Sequence, residues 1–412
     1  MGAVRKDIQF YRFCAYGFLK NLRLFDAFII LFLREAGMTF TQIGGVYAAR
    51  ELATNLMEIP SGLASDTLGR KHTLLLSFVL YILSFLLLFY GTSFVYFLVA
   101  FIVFGVGDAF RSGTHKGMIM DYLEHQGLSH TKVAYYGSTR SCSQLGSAIS
   151  SLVAAGMVVY GGNYRIIFLF SVFPYLLNMV NIATYPSFLQ VSRMEGRKPV
   201  LQAFKETFAE FFRLLRRPFV QRIIQSSAIY SAWIKTVKDY VQIVLIHLGM
   251  FLPVLITDDE KLRNTWAVGI GYFVLYLFNA AASKNAAYFE GKRPFRAAWI
   301  LMVVGFSAGV LAGGSYVWEL WSVSWFLFVV IYAIENVRKP LLTGVLSDAV
   351  PNDVLTSLLS AQSLVRTLWT AVLALVFGGM ADAWGVGHAL WLLSMGLFFF
   401  SLLSGRWVKG DS

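Results

Sequence analysis

Apolar runs of about twenty residues recur along almost the whole chain, and most are parted only by short polar breaks. As a helix, a run of that length rises about 30 Å, the thickness of the hydrocarbon layer of a bilayer. Twelve such runs can be read, over about 17–36, 42–64, 73–91, 94–117, 133–160, 164–188, 223–249, 265–288, 295–313, 318–340, 355–380 and 386–407. Backbone polar groups facing hydrocarbon must bond within their own segment, so each run must be helical. The ten-residue alternating strands of a membrane barrel are missing from the sequence. The expected fold class is an all-α membrane protein with twelve transmembrane helices. Composition agrees: 57% of the 412 residues are hydrophobic, only 14% are charged and 36 are Phe, more apolar surface than a soluble core can use.

The formal net charge of +12 could point to nucleic acid, but the basic residues fall in alternate connections, as a membrane topology requires. With the N-terminus inside, the inner connections hold clusters such as Arg70 and Lys71, Arg213 to Arg217, and Lys292 to Arg296, whereas the outer loops clearly hold only Lys261 and Arg263. Both termini are therefore expected on the cytoplasmic side, and no nucleic-acid partner is expected. The first apolar stretch carries Lys20, Arg23 and Asp26 and lacks a cleavage-site pattern, so it reads as a span and not a cleaved signal. Cys14 and Cys142 fall in or beside spans, which leaves neither a disulfide framework nor a four-ligand zinc site.

The longest basic connection, about 190–222, contains KPVLQAFKETFAEFFRLLRRPF, whose apolar residues follow a helical spacing with charges between them. It is expected to lie along the cytoplasmic surface in contact with membrane lipids, dividing a six-helix bundle at 1–189 from a second at 223–412. The two bundles repeat. DAFRSGTHKGMIMD, 108–121, lies without a gap on ENVRKPLLTGVLSD, 335–348, matching Asp108 to Glu335, Arg111 to Arg338, Gly117 to Gly344 and Asp121 to Asp348. With one residue of slip, Arg140 meets Arg366. Parallel repeats of this kind place a solute site near the midplane.

Between spans two and three stands GLASDTLGRK, residues 62–71: a helix ending in small residues, an acid, a Gly for a tight turn, then a basic pair. This resembles the signature of the major facilitator superfamily, with Gly62, Asp66, Gly69, Arg70 and Lys71 at the matching positions. Thr67 departs from the pattern, and a degenerate copy ending in EGKR stands at 290–293 without the acid. The resemblance implies two pseudo-symmetric six-helix bundles and transport by alternating access. It also implies a conformational latch in which Asp66 faces the start of span eleven and Arg70 lies near Asp121. EIPSGLASD, 58–66, looks like the same segment of prokaryotic members, which implies a prokaryotic cytoplasmic membrane. Span five, with GSTRSCSQLGSAISSLVAAG, lacks the Gly-Pro pair of many drug antiporters of the superfamily, so direction of transport stays open.

An ionisable side chain at the bilayer centre costs at least about 2.5–3.5 kcal/mol, so such residues should face the interior in pairs. Spacing of three and four puts Asp108, Arg111 and His115 on one face of a continuous span-four helix, and Glu335 and Arg338 repeat the first two. The glycines of span four, Gly113 among them, read as packing surfaces rather than hinges. In spans four, five, seven, ten and eleven, Arg111, Lys116, Arg140, Lys235, Lys238, Arg338, Lys339 and Arg366 stand against Asp108, Asp239 and Glu335. This surplus of cations points to a small organic solute bearing negative charge, bound through Arg111, His115, Arg140, Lys235, Arg338 and Arg366. If Lys116, Lys235 and Lys339 snorkel to water, the surplus shrinks and a neutral or cationic compound becomes the alternative. Proton coupling is expected through Asp26, Asp108 or Glu335, with Asp26 ranked first because it has no repeat partner. No HExxH, GxSxG or GxxxxGK[ST] sequence occurs and the six His are scattered, so no enzyme, cofactor or metal is expected. A sensor that binds solute without moving it would share every one of these features.

Overall fold

The computed structural model describes residues 6–112, 114–128, 132–190, 218–249, 259–284, 294–349 and 352–405. All twelve apolar runs fall on helices, and no strand occurs among the described residues. Span one is split into α1 (Ile8–Asn21) and α2 (Ile29–Glu35); span two is α3 (Phe40–Leu68) and span three α4 (Arg70–Tyr90). Span four is α5 (Phe94–Arg111) and α6 (Thr114–His125), followed by α7 (Lys132–Gly161) and α8 (Ile166–Ala183). Span seven comprises α9 (Pro218–Val237), a 3-10 turn at Lys238–Tyr240 and α10 (Val241–Gly249). Then come α11 (Glu260–Lys284), α12 (Pro294–Val317), α13 (Trp321–Ala349) and α14 (Asn352–Gly405), which carries spans eleven and twelve across a kink at Gly385. Gly385 has φ 82°, a value open to glycine at no steric cost. The expected surface helix and the EGKR copy lie outside the described residues.

The breaks correct the reading of span four as one helix. Ser112 leaves helical geometry with ψ 126°, its N–H bonding back to the carbonyls of Asp108 and Ala109. His115 therefore belongs to α6 and no longer shares a face with Asp108 and Arg111 on α5. Gly113, read as a packing residue, is next to this break, and a Ser-Gly pair is a common cause of one. Among the described residues, six segments, Arg70–Tyr90, Phe94–His125, Ser138–Gly161, Ile166–Ala183, Phe295–Val317 and Gln362–Leu403, are long and apolar enough to cross a membrane.

The helices gather into two compact units. Unit one holds Met1–Phe32, Ala49–Ala203 and Tyr272–Leu277; unit two holds Leu33–Ala48, Phe204–Gly271 and Phe278–Ser412. Each has its own aromatic core. In unit one Phe25 stacks on Phe168 at 5.6 Å, Phe32 meets Phe168 edge-on at 4.6 Å, and Phe85 meets Tyr175 at 4.9 Å. In unit two Tyr230, Trp233 and Phe306 lie within 5.2 to 5.4 Å of one another. Outward positions such as Leu83, Phe173, Val180, Leu311 and Phe399 are exposed, as a lipid-facing surface requires.

Because lipid is as apolar as leucine, helices in a membrane associate through close packing and polar contacts rather than by escaping water. At Gly105 the backbone of α5 comes so near α3 that a side chain would run into the Arg50 carbonyl. Thr54 sits at this contact, its hydroxyl within hydrogen-bond distance of the carbonyls of Arg50, 2.9 Å, and Gly105, 3.0 Å. Arg50 is thereby carried to Asp108, one turn beyond Gly105. Gly105→Leu should lower stability by about 1–3 kcal/mol through overpacking, read as a loss of thermal midpoint in detergent. Gly156→Ala, at a position with open space around it, should leave the midpoint unchanged.

Candidate functional site

Unit one contains a buried charge cluster built on Asp108. Its Oδ2 accepts from Arg50 Nη2 at 2.7 Å, and its Oδ1 accepts from Tyr81 Oη at 2.6 Å and from Arg111 Nη2 at 3.3 Å. Arg23 Nη2 approaches Oδ1 to 3.7 Å. The Tyr81 oxygen also accepts from Arg111 Nε at 2.8 Å, so a phenol bridges cation and acid. Arg23 Nε donates to Tyr175 Oη at 3.1 Å, and that hydroxyl donates to the Lys20 carbonyl. Phe104 lies between two guanidinium groups, with Arg50 4.3 Å and Arg23 5.3 Å from its ring centre. Three guanidiniums thus converge on one carboxylate that is only 13% exposed. Lys20 is a further half-buried basic residue with Asp26 and Asp108 in electrostatic reach, and Glu51 acts on Arg50.

Beside this cluster, a narrow cleft lies at the break in span one, lined by Asn21, Arg23, Asp26, Ala27, Ser147, Ser150, Ser151 and Tyr276. Across residues 22–28 the regular ladder gives way to i to i+3 bonds, Asp26 N to Arg23 O and Phe28 N to Phe25 O. His115 is elsewhere in unit one, stacked on Tyr16 at 3.5 Å with Nε2 3.3 Å from Tyr185 Oη.

Several of the residues expected to form a latch lie in unit one. Arg70 forms an ion pair with Asp121 and lies across Gly117, where the missing side chain makes room for the guanidinium. Lys71 donates to the Ala183 carbonyl at 2.6 Å, and Gly69 takes φ 84° at the turn between α3 and α4. Gly62 faces open space. The Asp66 side chain lies outside the described residues, as do those of Lys339 and Asp348.

Unit two is arranged differently. Arg338, 1% exposed, donates from Nε to the Ala298 carbonyl at 3.0 Å and from Nη2 to Ser226 O at 2.6 Å, under the Tyr230 ring. Glu335 accepts from Ser231 at 3.0 Å. The repeat pair of Asp108 and Arg111 has therefore become a helix-packing residue and a hydroxyl-bonded acid. Arg366 donates to Ser363 at 3.0 Å, while Arg140, in unit one, is exposed and Lys235 is half-buried. Gln225, Ser227, Gln362 and Trp369 join α9 to α14 by neutral hydrogen bonds.

Unit two also holds a carboxylate clasp. Asp382 accepts from the backbone N–H groups of Phe40 at 2.7 Å and Thr41 at 2.8 Å, and from the Thr41 hydroxyl at 2.6 Å, capping the start of α3. The positive end of the helix favours the acid there. Tyr47 donates to Asp239 at 2.8 Å and Lys261 pairs with Glu35 at 2.8 Å in the same unit.

Sequence comparison assigns this arrangement to a family. The profile of the Major Facilitator Superfamily matches residues 13–374. The chain belongs to the major facilitator superfamily. A relative in Bacillus subtilis (strain 168), the uncharacterized MFS-type transporter YxaM, is 23% identical over 386 residues, covering 92% of this chain and 90% of the relative. A crystal structure of a mutant of the nucleoside transporter NupG superposes with a TM-score of 0.78 at 12% identity, covering 96% of this chain and 99% of that one. A D-xylose-proton symporter matches with a TM-score of 0.65 at 15% identity, covering 94% and 95%. This major facilitator protein is thus a multi-pass integral membrane transporter and not an enzyme.

Arg23, Arg50, Tyr81 and Tyr175 were not among the expected solute ligands. Arg50 was visible as a charge inside span two, and Arg23 as one three residues before Asp26; the tyrosines carry no sequence signal. Removing the clasp with Asp382→Ala should cost about 1 kcal/mol at the α3 start. Exchange of the Phe40 and Thr41 amides, followed by hydrogen–deuterium mass spectrometry, should then quicken about fivefold, with amides of unit one unchanged.

Proposed function

We propose that this transporter moves a small organic anion across the membrane by alternating access, driven by protons that Asp26 takes up and releases. The observation that carries the reading is the convergence of Arg23, Arg50 and Arg111 on Asp108. Three guanidiniums gathered on one carboxylate offer several charged donors at one place, a setting that favours a solute carboxylate or phosphate. Planar guanidiniums match such groups with paired hydrogen bonds. His115, Arg140, Lys235, Arg338 and Arg366 stay candidates of lower rank, since Arg338 is engaged with backbone carbonyls and Arg140 faces outward. Asp108 is held by its ring of donors and serves as the fixed counter-charge, and Glu335 has a neutral role beside Ser231.

Asp26 supports proton coupling by its position at a break in span one beside a polar cleft, where its charge acts on Lys20 and Arg23. Interrupted membrane helices commonly frame ion and solute sites, because the freed backbone groups can serve as ligands. The pairing of Arg70 with Asp121 fits a latch that opens and closes with each cycle. The alternation of basic connections and the Bacillus relative support a prokaryotic cytoplasmic membrane with both termini inside.

Uptake into proteoliposomes tests the reading. Small organic anions should accumulate under an imposed pH gradient, and Arg111→Gln or Arg50→Gln should raise KM by about tenfold or more, the worth of one charged hydrogen bond. Asp26→Asn should abolish pH-driven accumulation while solute counterflow persists. Preferential transport of cations, unchanged by either arginine substitution, would contradict the anionic assignment.

A further inference from the structure

Three donors compete for one oxygen of Asp108. A carboxylate oxygen offers about two lone-pair directions, while Tyr81 Oη, Arg111 Nη2 and Arg23 Nη2 stand 2.6, 3.3 and 3.7 Å from Oδ1. A guanidinium bonded to a carboxylate comes to about 2.7–2.9 Å and a hydroxyl to about 2.5–2.7 Å. At Oδ1 only the phenol has reached its distance, as Arg50 has at Oδ2 with 2.7 Å. Arg111 and Arg23 are left outside theirs. Arg111 Nε also donates to the Tyr81 oxygen at 2.8 Å, so the phenol that fills Oδ1 holds this arginine to one side.

Tyr81 is held firmly in this place. It is fully buried on α4, its ring 4.9 Å from that of Phe104 and edge-on to Tyr175 at 5.5 Å. α5 crosses the ring at Gly107, where an added side-chain carbon would come within 3.3 Å of two ring carbons. The next residue is Asp108, so this close approach sets the phenol against the carboxylate. The Arg111 side chain is 25% exposed, and a solute that enters meets the guanidinium rather than the phenol. Tyr16, whose field also acts on Arg111, has no hydrogen-bond partner among the described residues and does not replace the phenol at Oδ1.

We propose that Tyr81 is a positioning residue for solute recognition: by filling Asp108 Oδ1 and taking Arg111 Nε, it keeps Arg111 from closing on the acid and leaves its Nη nitrogens to an anionic solute. The role rests on the anionic reading above and names the side chain that sustains it. Without the hydroxyl, Arg111 has lost the acceptor that holds it aside, and Oδ1 has lost its short partner. The guanidinium then moves the few tenths of an ångström to a tight ion pair. A solute carboxylate must break that pair before it can bind, so the solute gains less from the same arginine.

Labelling and uptake by the full-length transporter test the role. Phenylglyoxal adds across the Nη nitrogens of an arginine, and the side chains of Arg111 and Arg50 are almost equally exposed, at 25% and 24%. Peptide mass spectrometry should find wild-type Arg111 labelled at least about threefold faster than Arg50, whose Nη2 is held by Asp108, and the difference should vanish in Tyr81→Phe. The uptake assay uses whichever of lactate, succinate and glucose 6-phosphate the wild type accumulates best in proteoliposomes. Tyr81→Phe should raise KM about five- to tenfold with kcat within about twofold, and adding Arg111→Gln should raise KM less than about threefold further. Equal labelling of the two arginines in the wild type, or a KM raised by Arg111→Gln but not by Tyr81→Phe, would overturn the role of Tyr81 and leave the anionic reading standing. A KM that answers to neither substitution would overturn both. Lower kcat and less folded protein in Tyr81→Phe, at unchanged KM and labelling, would reduce Tyr81 to a packing residue and overturn the proposal.

Discussion

Much of unit one turns on a single carboxylate that would not be tolerated alone. Asp108 lies inside a membrane domain, where an isolated charge costs several kcal/mol, and it is held there by Arg23, Arg50, Arg111 and the Tyr81 hydroxyl. These partners come from the break in span one and from α3, α4 and α5. One interaction therefore ties four chain segments of unit one together. The glycine contact between α3 and α5 serves the same end, since only at that separation can Arg50 reach across. Electrostatics and packing are two faces of one constraint here: small residues bring charges close, and the charges fix the register of the small residues.

The two units meet the demand for buried polarity in unlike ways. Unit one concentrates charge, with guanidinium groups stacked against Phe104 and joined through phenols. Unit two disperses it, sending Arg338 to backbone carbonyls and linking helices by amides, hydroxyls and an indole. A duplicated gene can diverge like this because the repeat fixes where helices lie and leaves their side-chain partners free.

The twelve helices were legible in the sequence because hydrocarbon thickness imposes a length on every span and excludes alternatives. The turn at Gly69 and the pair Arg70 and Asp121 were legible through a motif with a mechanical reason for each residue. The breaks were harder. That after Arg111 interrupts a run read as continuous, while Gly105, Gly107 and Gly117 on either side of it make the close contacts their packing reading called for. The break at 22–28 has neither Gly nor Pro, and within it the Arg23 side chain reaches Tyr175 and Asp108, partners outside its own helix. Arg338 matches Arg111 in sequence position, but its partners differ: it lies beneath Tyr230 and donates to backbone carbonyls. Side-chain partners from distant segments, such as Tyr81 and Tyr175, leave no periodic mark and become visible only in three dimensions.

The central claim is that Asp108 and its arginines are energetically one unit, so the most direct measurement is a double-mutant cycle on stability. Asp108→Asn and Arg50→Gln would be made singly and together, and unfolding free energies compared in one detergent. Loss of the acid alone should cost about 3–5 kcal/mol by stranding buried cations, and the double variant should be less destabilised than the sum of the two by more than about 1 kcal/mol. Additive effects within about 0.5 kcal/mol would show that the carboxylate and guanidinium act independently, and would contradict the account.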